Sequence, residues 1–115
     1  MKLIEIIKAL SHENRLRILN LIKDQELCVC EIEYVLEINQ SNASRHLTKL
    51  KQTNLIDRKK RAQWNYYSIN NNLLKEYSFL KVLIEEELDS VEILNKDRKK
   101  LKEYQNSDLT CNEIG

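Results

Sequence analysis

The sequence contains no proline and only one glycine, Gly115, its last residue. Both residues interrupt helices, so their scarcity favours long helices and few tight turns. No run of about 20 apolar residues is present to span a membrane. Glu5 and Lys8 interrupt the apolar N-terminal stretch, which argues against a signal peptide. We therefore expect a soluble cytoplasmic protein with no membrane partner.

The sequence also lacks the motifs of the common enzyme classes. It has no glycine-rich phosphate loop, no nucleophile motif and no recognisable pair of catalytic carboxylates. An enzyme is therefore disfavoured. With 115 residues, 42% of them hydrophobic and 32% charged, the chain has the size and composition of one globular domain. A domain this small leaves apolar surface exposed unless it pairs with another copy.

Positive charge is confined to one part of the chain. The net charge of the whole sequence is only +1, but residues 41–70 hold seven Lys and Arg against one acidic residue. The segments before and after this block are both acidic in balance. A basic block of this kind is typical of a surface that binds nucleic acid.

The hydrophobic spacing predicts a mainly α-helical fold with a small β-hairpin. Ser11 is expected to cap the second helix, and Gln40 or Ser41 the fourth. Residues 72–105 are expected to form one long helix, or two broken near 88–96. We assign residues 1–105 to one domain and 106–115 to a tail. The predicted order is helices over 3–10, 13–24, 30–37 and 41–50, strands over 55–59 and 63–69, and the C-terminal helical region. This order is typical of a winged helix-turn-helix.

The segment INQSNASRHLTKL (38–50) has the pattern of a helix that reads DNA. Ala43, Leu47 and Leu50 form its apolar back. Its front is expected to carry the polar residues Gln40, Ser41, Asn42, Ser44, Arg45 and His46. Arginine can contact a guanine edge or a phosphate, and Gln or Asn can read adenine. Lys49 and Lys51 fit phosphate contacts, which add affinity without sequence choice.

The predicted hairpin carries a basic tip that would lie along the DNA backbone or in a minor groove. The tip consists of Arg58, Lys59, Lys60 and Arg61. Tyr67 and Ile69 are expected to pack on the helices, whereas Trp64 and Tyr66 cover the opposite face of the hairpin.

The chain resembles the arsenic-responsive (ArsR/SmtB-type) winged-helix repressors over roughly residues 3–85. Four segments carry the resemblance: KALSHENRLRILNLI (8–22), ELCVCEI (26–32), INQSNASRHLTKL (38–50) and QWNYYSI (63–69). The resemblance implies a homodimer that pairs through its first and last helices. It implies repression by binding an inverted-repeat operator in double-stranded DNA, and release when a metal or metalloid ion binds. It places the DNA contacts at Gln40, Ser41, Ser44, Arg45 and His46.

One departure from these repressors concerns the wing, which is the hairpin described above. Relatives often have a glycine at its turn, whereas residues 59–63 (KKRAQ) contain none. The turn is therefore expected to be longer, or to place a residue other than glycine at positive φ.

Cys28 and Cys30 stand at the predicted start of the third helix. On a regular helix, residues two apart point about 200° away from each other, so the two thiols cannot share one ion there. In an extended segment they face the same way. We therefore expect ion capture to unwind the first turn of residues 30–37. That change would move the recognition helix, the predicted DNA-reading helix over 41–50. Thiolates select soft or borderline ions.

The segment ELCVC resembles the one that carries thiolate ligands in arsenite and antimonite sensors and in some cadmium and lead sensors. The resemblance therefore implies As(III) or Sb(III) as the inducer, with Cd or Pb as alternatives. A trigonal site needs a third ligand, and Cys111 is the only other thiol. The tail would supply this third ligand, and in a dimer the tail of one subunit could supply it to the other. Zinc sensing on the last helix is disfavoured because residues 72–105 contain no histidine.

Two further classes of function stay open. A thiol-redox or persulfide-responsive repressor of the same fold would use Cys28 or Cys30 together with Cys111. A protein interaction module that no longer binds DNA would keep the fold as a dimer scaffold. Operator binding and its response to arsenite, cadmium and peroxide separate these alternatives.

Overall fold

The structure, a computed structural model, describes residues 1–109. Within that range the chain is mainly helical, with one small sheet. The helices are α1 (Lys2–Leu10), α2 (Glu13–Ile22), α3 (Val29–Leu36), α4 (Gln40–Gln52), α5 (Asn71–Glu76), α6 (Ser78–Glu85), a 3₁₀ helix (Glu87–Ser90) and α7 (Glu92–Gln105). The strands are β1 (Leu27–Cys28), β2 (Ile56–Arg61) and β3 (Trp64–Ile69). The predicted winged helix-turn-helix is confirmed. None of the helices in residues 1–109 is long and apolar enough to cross a bilayer.

The sheet is antiparallel, with strand order β1-β3-β2. Strands β2 and β3 form the predicted hairpin, which is the wing. Strand β1 was not expected from the sequence. It pairs Leu27 with Tyr67 and Cys28 with Tyr66. This short strand attaches the start of α3 to the wing.

The core lies between the helices and the inner face of the sheet. Ala43, Leu47 and Leu50 of α4 are buried, as the sequence predicts. Tyr67 and Ile69 are buried in the same core. The recognition helix and the wing are therefore fixed by one apolar cluster.

Three residues other than glycine take the left-handed conformation in the described part of the chain. They are Glu37 (φ 56°), Asn54 (φ 62°) and Ala62 (φ 54°). Glu37 ends α3 at the helix-turn-helix turn. Ala62 is the first of two residues between the paired Arg61 and Trp64. Positive φ at that position alone is the pattern of a type II′ hairpin turn, where glycine is usual. The second of the two alternatives expected for the wing turn is therefore the observed one.

Two predicted helix caps are wrong. The N-cap of α2 is His12, whose side chain accepts a hydrogen bond from the Asn14 amide, whereas Ser11 ends α1. The N-cap of α4 is Asn39, whose side chain accepts from the Asn42 amide at 2.8 Å. Asparagine is as good a cap as serine, and the sequence offered several adjacent candidates.

The C-terminal region is more broken than the expected one or two helices. Tyr77 and Val91 are extended and separate α5 from α6 and the 3₁₀ helix from α7. Helix α7 packs on α2 and α3 of its own chain. Its apolar stripe is buried there, through Leu94, Leu101 and Tyr104. That stripe is therefore not an exposed surface for a partner.

Candidate DNA-binding surface and thiol site

The front of α4 presents polar side chains to solvent. Gln40, Ser41, Ser44, Arg45 and Lys49 are exposed, and Asn42 is half-buried. The Arg45 guanidinium donates from Nη2 to Asn42 Oδ1 at 2.9 Å. This contact holds Arg45 along the N-terminal half of the helix, the part that enters the major groove in helix-turn-helix proteins.

His46 was expected on this front, and that expectation is wrong. The side chain is only 1% exposed. It lies three residues after Ala43, so it falls on the buried stripe of the helix. The His46 ring packs against the His12 ring at a tilt of 55°, with centroids 4.3 Å apart, and its Nδ1 accepts from Arg15 Nε at 3.2 Å. Burial lowers the pKa of His46, and the nearby charges of His12, Arg15 and Arg45 lower it further. His46 is therefore a neutral packing residue that holds α4 on α2.

The basic residues of the wing lie in strand β2 rather than at the tip of the hairpin. Arg58, Lys59, Lys60 and Arg61 are all exposed. Their side chains alternate between the two faces of the strand, because successive residues in a strand point in opposite directions. The tip itself consists of Ala62 and Gln63.

One wing arginine is engaged near the thiols. The Arg61 guanidinium forms an ion pair with Glu26 and lies 5.2 Å from the centroid of the Tyr66 ring. Glu26 stands two residues before Cys28, and Tyr66 pairs with Cys28 in the sheet. The thiol segment and the basic strand of the wing are therefore in direct contact.

Cys28 and Cys30 converge. Cys28 is the N-cap of α3, with extended backbone angles (φ −85°, ψ 163°), and Cys30 lies in the first turn. Their Sγ atoms are 2.8 Å apart. Both residues are buried; Cys28 carries a thiol, whereas Cys30 is disulfide-bonded. Two thiolates on one ion, each at about 2.3 Å, lie roughly 3–4 Å apart, so a small separation of the sulfurs makes room for an ion.

The two sulfur atoms approach each other without any unwinding of α3; the expected unwinding on ion capture stays a prediction. The extended conformation at Cys28 already turns its side chain to the same side as that of Cys30, while α3 is intact from Val29. The helix start is held by a capping box. Cys28 Sγ accepts from the Glu31 amide, and the Glu31 carboxylate accepts from the Cys28 amide at 3.0 Å. The thiol is therefore part of the cap that starts α3.

Burial, together with the nearby Glu31 carboxylate, raises the pKa of the Cys28 thiol to about 11, against the lowering effect of the hydrogen bond from the Glu31 amide. The thiol is therefore protonated at neutral pH. An ion can bind the Cys28 sulfur only if the thiol proton is transferred to solvent or to a group that the ion carries.

Two grooves flank the thiol pair. One, of about 470 Å³, is lined by Cys28 and by residues from the end of α7 and beyond, among them Tyr104 and Leu109. The other, of about 380 Å³, is lined by Cys30 and by Gln40 at the start of α4. Trp64, the single tryptophan, lines both.

Cys111, the third predicted ligand, lies outside the described residues. Within residues 1–109, no three His, Cys, Asp or Glu side chains are grouped closely enough to hold a metal ion. Leu109, two positions before Cys111, lines the groove at Cys28. Two residues span at most about 7 Å of chain.

The comparisons with known proteins agree on one family. The sequence profile described as "Bacterial regulatory protein, arsR family" matches residues 12–58. The arsenic resistance transcriptional regulator ArsR1 of Pseudomonas putida is 36% identical over 66 residues, which are 56% of this chain and 52% of that protein. The chain thus spans about half the length of that relative. The cadmium resistance regulatory protein CadC of Listeria innocua is 37% identical over 82 residues, which are 70% of this chain and 69% of that protein.

Solved structures agree with the fold. Reduced HlyU from Vibrio cholerae matches with a TM-score of 0.63 and 34% identity, over 71% of this chain and 84% of that chain. The homodimeric winged helix-turn-helix DNA-binding domain of Mb0332 from Mycobacterium bovis matches with a TM-score of 0.63 and 27% identity, over 74% of this chain and 80% of that chain.

Proposed function

Because the chain belongs to the arsR family of bacterial regulatory proteins, we propose that it is a homodimeric repressor that binds an inverted-repeat operator. The family profile and the arsenic and cadmium regulators among its relatives support this premise. As(III) or Sb(III) binding at Cys28 and Cys30 releases the operator. The convergence of the Cys28 and Cys30 sulfur atoms at 2.8 Å is the observation that carries the proposal, and ion binding there requires Cys30 in its reduced form.

The DNA contacts come from α4 and the wing. Gln40, Ser41, Asn42, Ser44 and Arg45 face the major groove, because they form the polar front of α4. Lys49 and the basic strand β2 contact phosphates. His46 is left out of this surface because it is buried.

The dimer forms through α1 and α6. Both helices expose apolar side chains on their outer faces, namely Leu3, Ile4 and Ile7 on α1 and Phe79 and Val82 on α6. The Lys2–Glu76 ion pair, at 3.9 Å, brings α1 next to the end of α5, directly before α6. We infer that the two apolar faces contribute to the same dimer interface. Exposed apolar patches of this kind mark association sites, and Mb0332 is a homodimer.

The protonated state of Cys28 favours a metalloid over a divalent metal. Arsenous acid reacts with three thiols to give three As–S bonds and three water molecules, so its own hydroxides take up the thiol protons. Cadmium carries no such groups and must release those protons to solvent. A thiol with a pKa of about 11 therefore penalises cadmium and not arsenite.

The same thiol connects the ion to both DNA-binding parts. Cys28 caps α3, which packs on α4. It also pairs with Tyr66, which lies under Arg61 of the wing. An ion on Cys28 Sγ takes a lone pair of this sulfur and so changes the geometry of the bond that it accepts from the Glu31 amide. We expect the start of α3 and the strand pairing at Tyr66 to shift together.

The test is a titration of the operator complex with arsenite and with cadmium at pH 6, 7 and 8, followed by fluorescence anisotropy. We expect the arsenite midpoint to stay constant across this range. The cadmium midpoint should fall by about tenfold per pH unit for each proton displaced. The proposal is wrong if neither ion releases DNA, and the metalloid assignment is wrong if only cadmium does.

Replacing Cys111 with serine is expected to weaken arsenite binding by at least about tenfold, because a trigonal site loses one of its three sulfurs. Leu109 lines the groove at Cys28 and precedes Cys111 by two residues. A third ligand from the same protomer therefore has a shorter distance to cover than one from the other subunit. Trp64 fluorescence measures the binding without DNA. Ser107→Ala, which changes the same segment without removing a thiol, is the control. An unchanged arsenite affinity in Cys111→Ser would remove Cys111 from the site.

A second candidate function is a thiol-redox switch. The disulfide at Cys30 and the likeness to reduced HlyU favour it. Peroxide would oxidise one thiol to a sulfenic acid and be reduced to water. The second thiol would then displace a further water to close a disulfide. Release of the operator by peroxide, but not by arsenite, is the result that selects this alternative.

A further inference from the structure

Helix α7 contacts the thiol groove at one end and the helix-turn-helix unit along its length. Tyr104 and Gln105 line the groove at Cys28. The body of α7 packs on α2 and α3. At its start, Asn20 of α2, which is fully buried, donates from Nδ2 to the carbonyl of Leu94 at 3.0 Å. Helix α7 therefore contacts the domain from its first turn to the groove at Cys28.

A buried ion pair joins α7 to the end of α3. Asp97, which is 5% exposed, accepts two hydrogen bonds from Arg17 of α2, at 2.8 and 2.9 Å. The Arg17 Nη2 atom also lies 3.4 Å from the carbonyl oxygen of Leu36, the last residue of α3, to which it donates. The bidentate pair fixes the plane of the guanidinium. Asp97 thus orients the Arg17 guanidinium toward the C-terminal end of α3, where the turn before α4 begins.

Two further contacts join α7 to α3 and to this turn. Lys100 lies 3.4 Å from the carboxylate of Glu37, the left-handed residue that ends α3. The rings of Tyr104 and Tyr34 are tilted, with centroids 5.5 Å apart. Because Tyr104 also lines the thiol groove, one residue contacts both the groove and α3.

We propose that Asp97 is a positioning residue that couples inducer binding to operator release. A shift of the C-terminal end of α7 on ion binding moves Asp97 and, through Arg17, the Leu36 carbonyl and the turn before α4. This inference rests on the proposed function, because it needs an ion at the thiols and DNA at α4. It adds a residue that contacts neither of them.

Asp97→Asn in the full-length protein tests the coupling. It keeps the shape of the side chain and removes its charge. The quantity measured is the operator Kd with saturating arsenite divided by that without it. We expect a ratio of about 100 in the unaltered protein and below about 10 in the variant. Arsenite affinity without DNA, read from Trp64 fluorescence, should change by less than about threefold. Glu92→Gln, an equal charge change in an exposed pair with Lys96 on α7, should behave like the unaltered protein.

A second variant covers the case in which Asp97→Asn fails to fold. Arg17→Met combined with Asp97→Leu replaces the ion pair by apolar groups, an exchange that folded proteins often tolerate. It removes the bond to the Leu36 carbonyl, and we expect the same loss of coupling. An unaltered ratio in a folded variant overturns the inference. So does a loss of arsenite affinity without DNA, since Asp97 would then only help to build the thiol site. If the unaltered protein binds no arsenite or no operator, the proposed function itself is wrong.

Discussion

Replacing Cys28 with serine is expected to abolish release of the operator by arsenite while leaving operator affinity within about twofold. Serine is a good N-cap, so its hydroxyl can accept from the Glu31 amide as the thiol does and keep the start of α3. The hydroxyl does not replace a thiolate as a ligand of a soft ion. Removing a residue that only hydrogen-bonds to a metal ligand lowers metal affinity by about 10–100-fold. Removing a ligand itself should therefore lower the arsenite affinity by more than about 100-fold.

Two measurements check this expectation. Trp64, which lines both grooves beside the thiols, reports arsenite binding without DNA, and fluorescence anisotropy of a labelled operator reports release. Val29→Ala is the matched control, because it changes the residue between the two thiols and removes no sulfur. We expect it to retain release. If Cys28→Ser releases the operator at the arsenite concentration of the unaltered protein, the thiol pair is not the sensing site.

The sequence predicted the elements that depend on local periodicity. The buried stripe of α4 and the two wing strands follow from the spacing of apolar residues, and both are observed. The same periodicity could have placed His46 inside, because it lies three residues after Ala43. The polar character of histidine led to the opposite expectation. Burial of His46 is possible because Arg15 satisfies its Nδ1 and His12 covers its ring.

The missed features depend on contacts between distant parts of the chain. Strand β1 has two residues and exists because it pairs with β3. That pairing makes Cys28 extended, which in turn brings its sulfur to that of Cys30. Local reasoning could identify both thiols but not their convergence. The break at Val91 falls within the region 88–96 where a break was one of the two expected alternatives. The break at Tyr77 was missed because no proline or glycine marks it.

Arg45→Met is expected to give the largest loss of operator binding among single changes on α4. A bidentate contact between arginine and guanine discriminates by about 1–3 kcal/mol, so two half-sites lose about 2–6 kcal/mol together. Methionine has a helix propensity close to that of arginine, and Arg45 is exposed, so the fold should be kept. Anisotropy titrations with the operator and with a scrambled duplex measure the effect.

The salt dependence of this loss identifies what Arg45 contacts. If the partner is a guanine edge, binding to the operator falls while binding to the scrambled duplex and the slope of log K against log salt stay nearly unchanged. If the partner is a phosphate, both duplexes lose affinity and the slope falls by about 0.9 for each subunit. Lys75→Met is the control, because it removes an exposed positive charge on α5, an element outside α4 and the wing. Equal losses in Arg45→Met and Lys75→Met would mean that overall charge, rather than the front of α4, determines operator affinity.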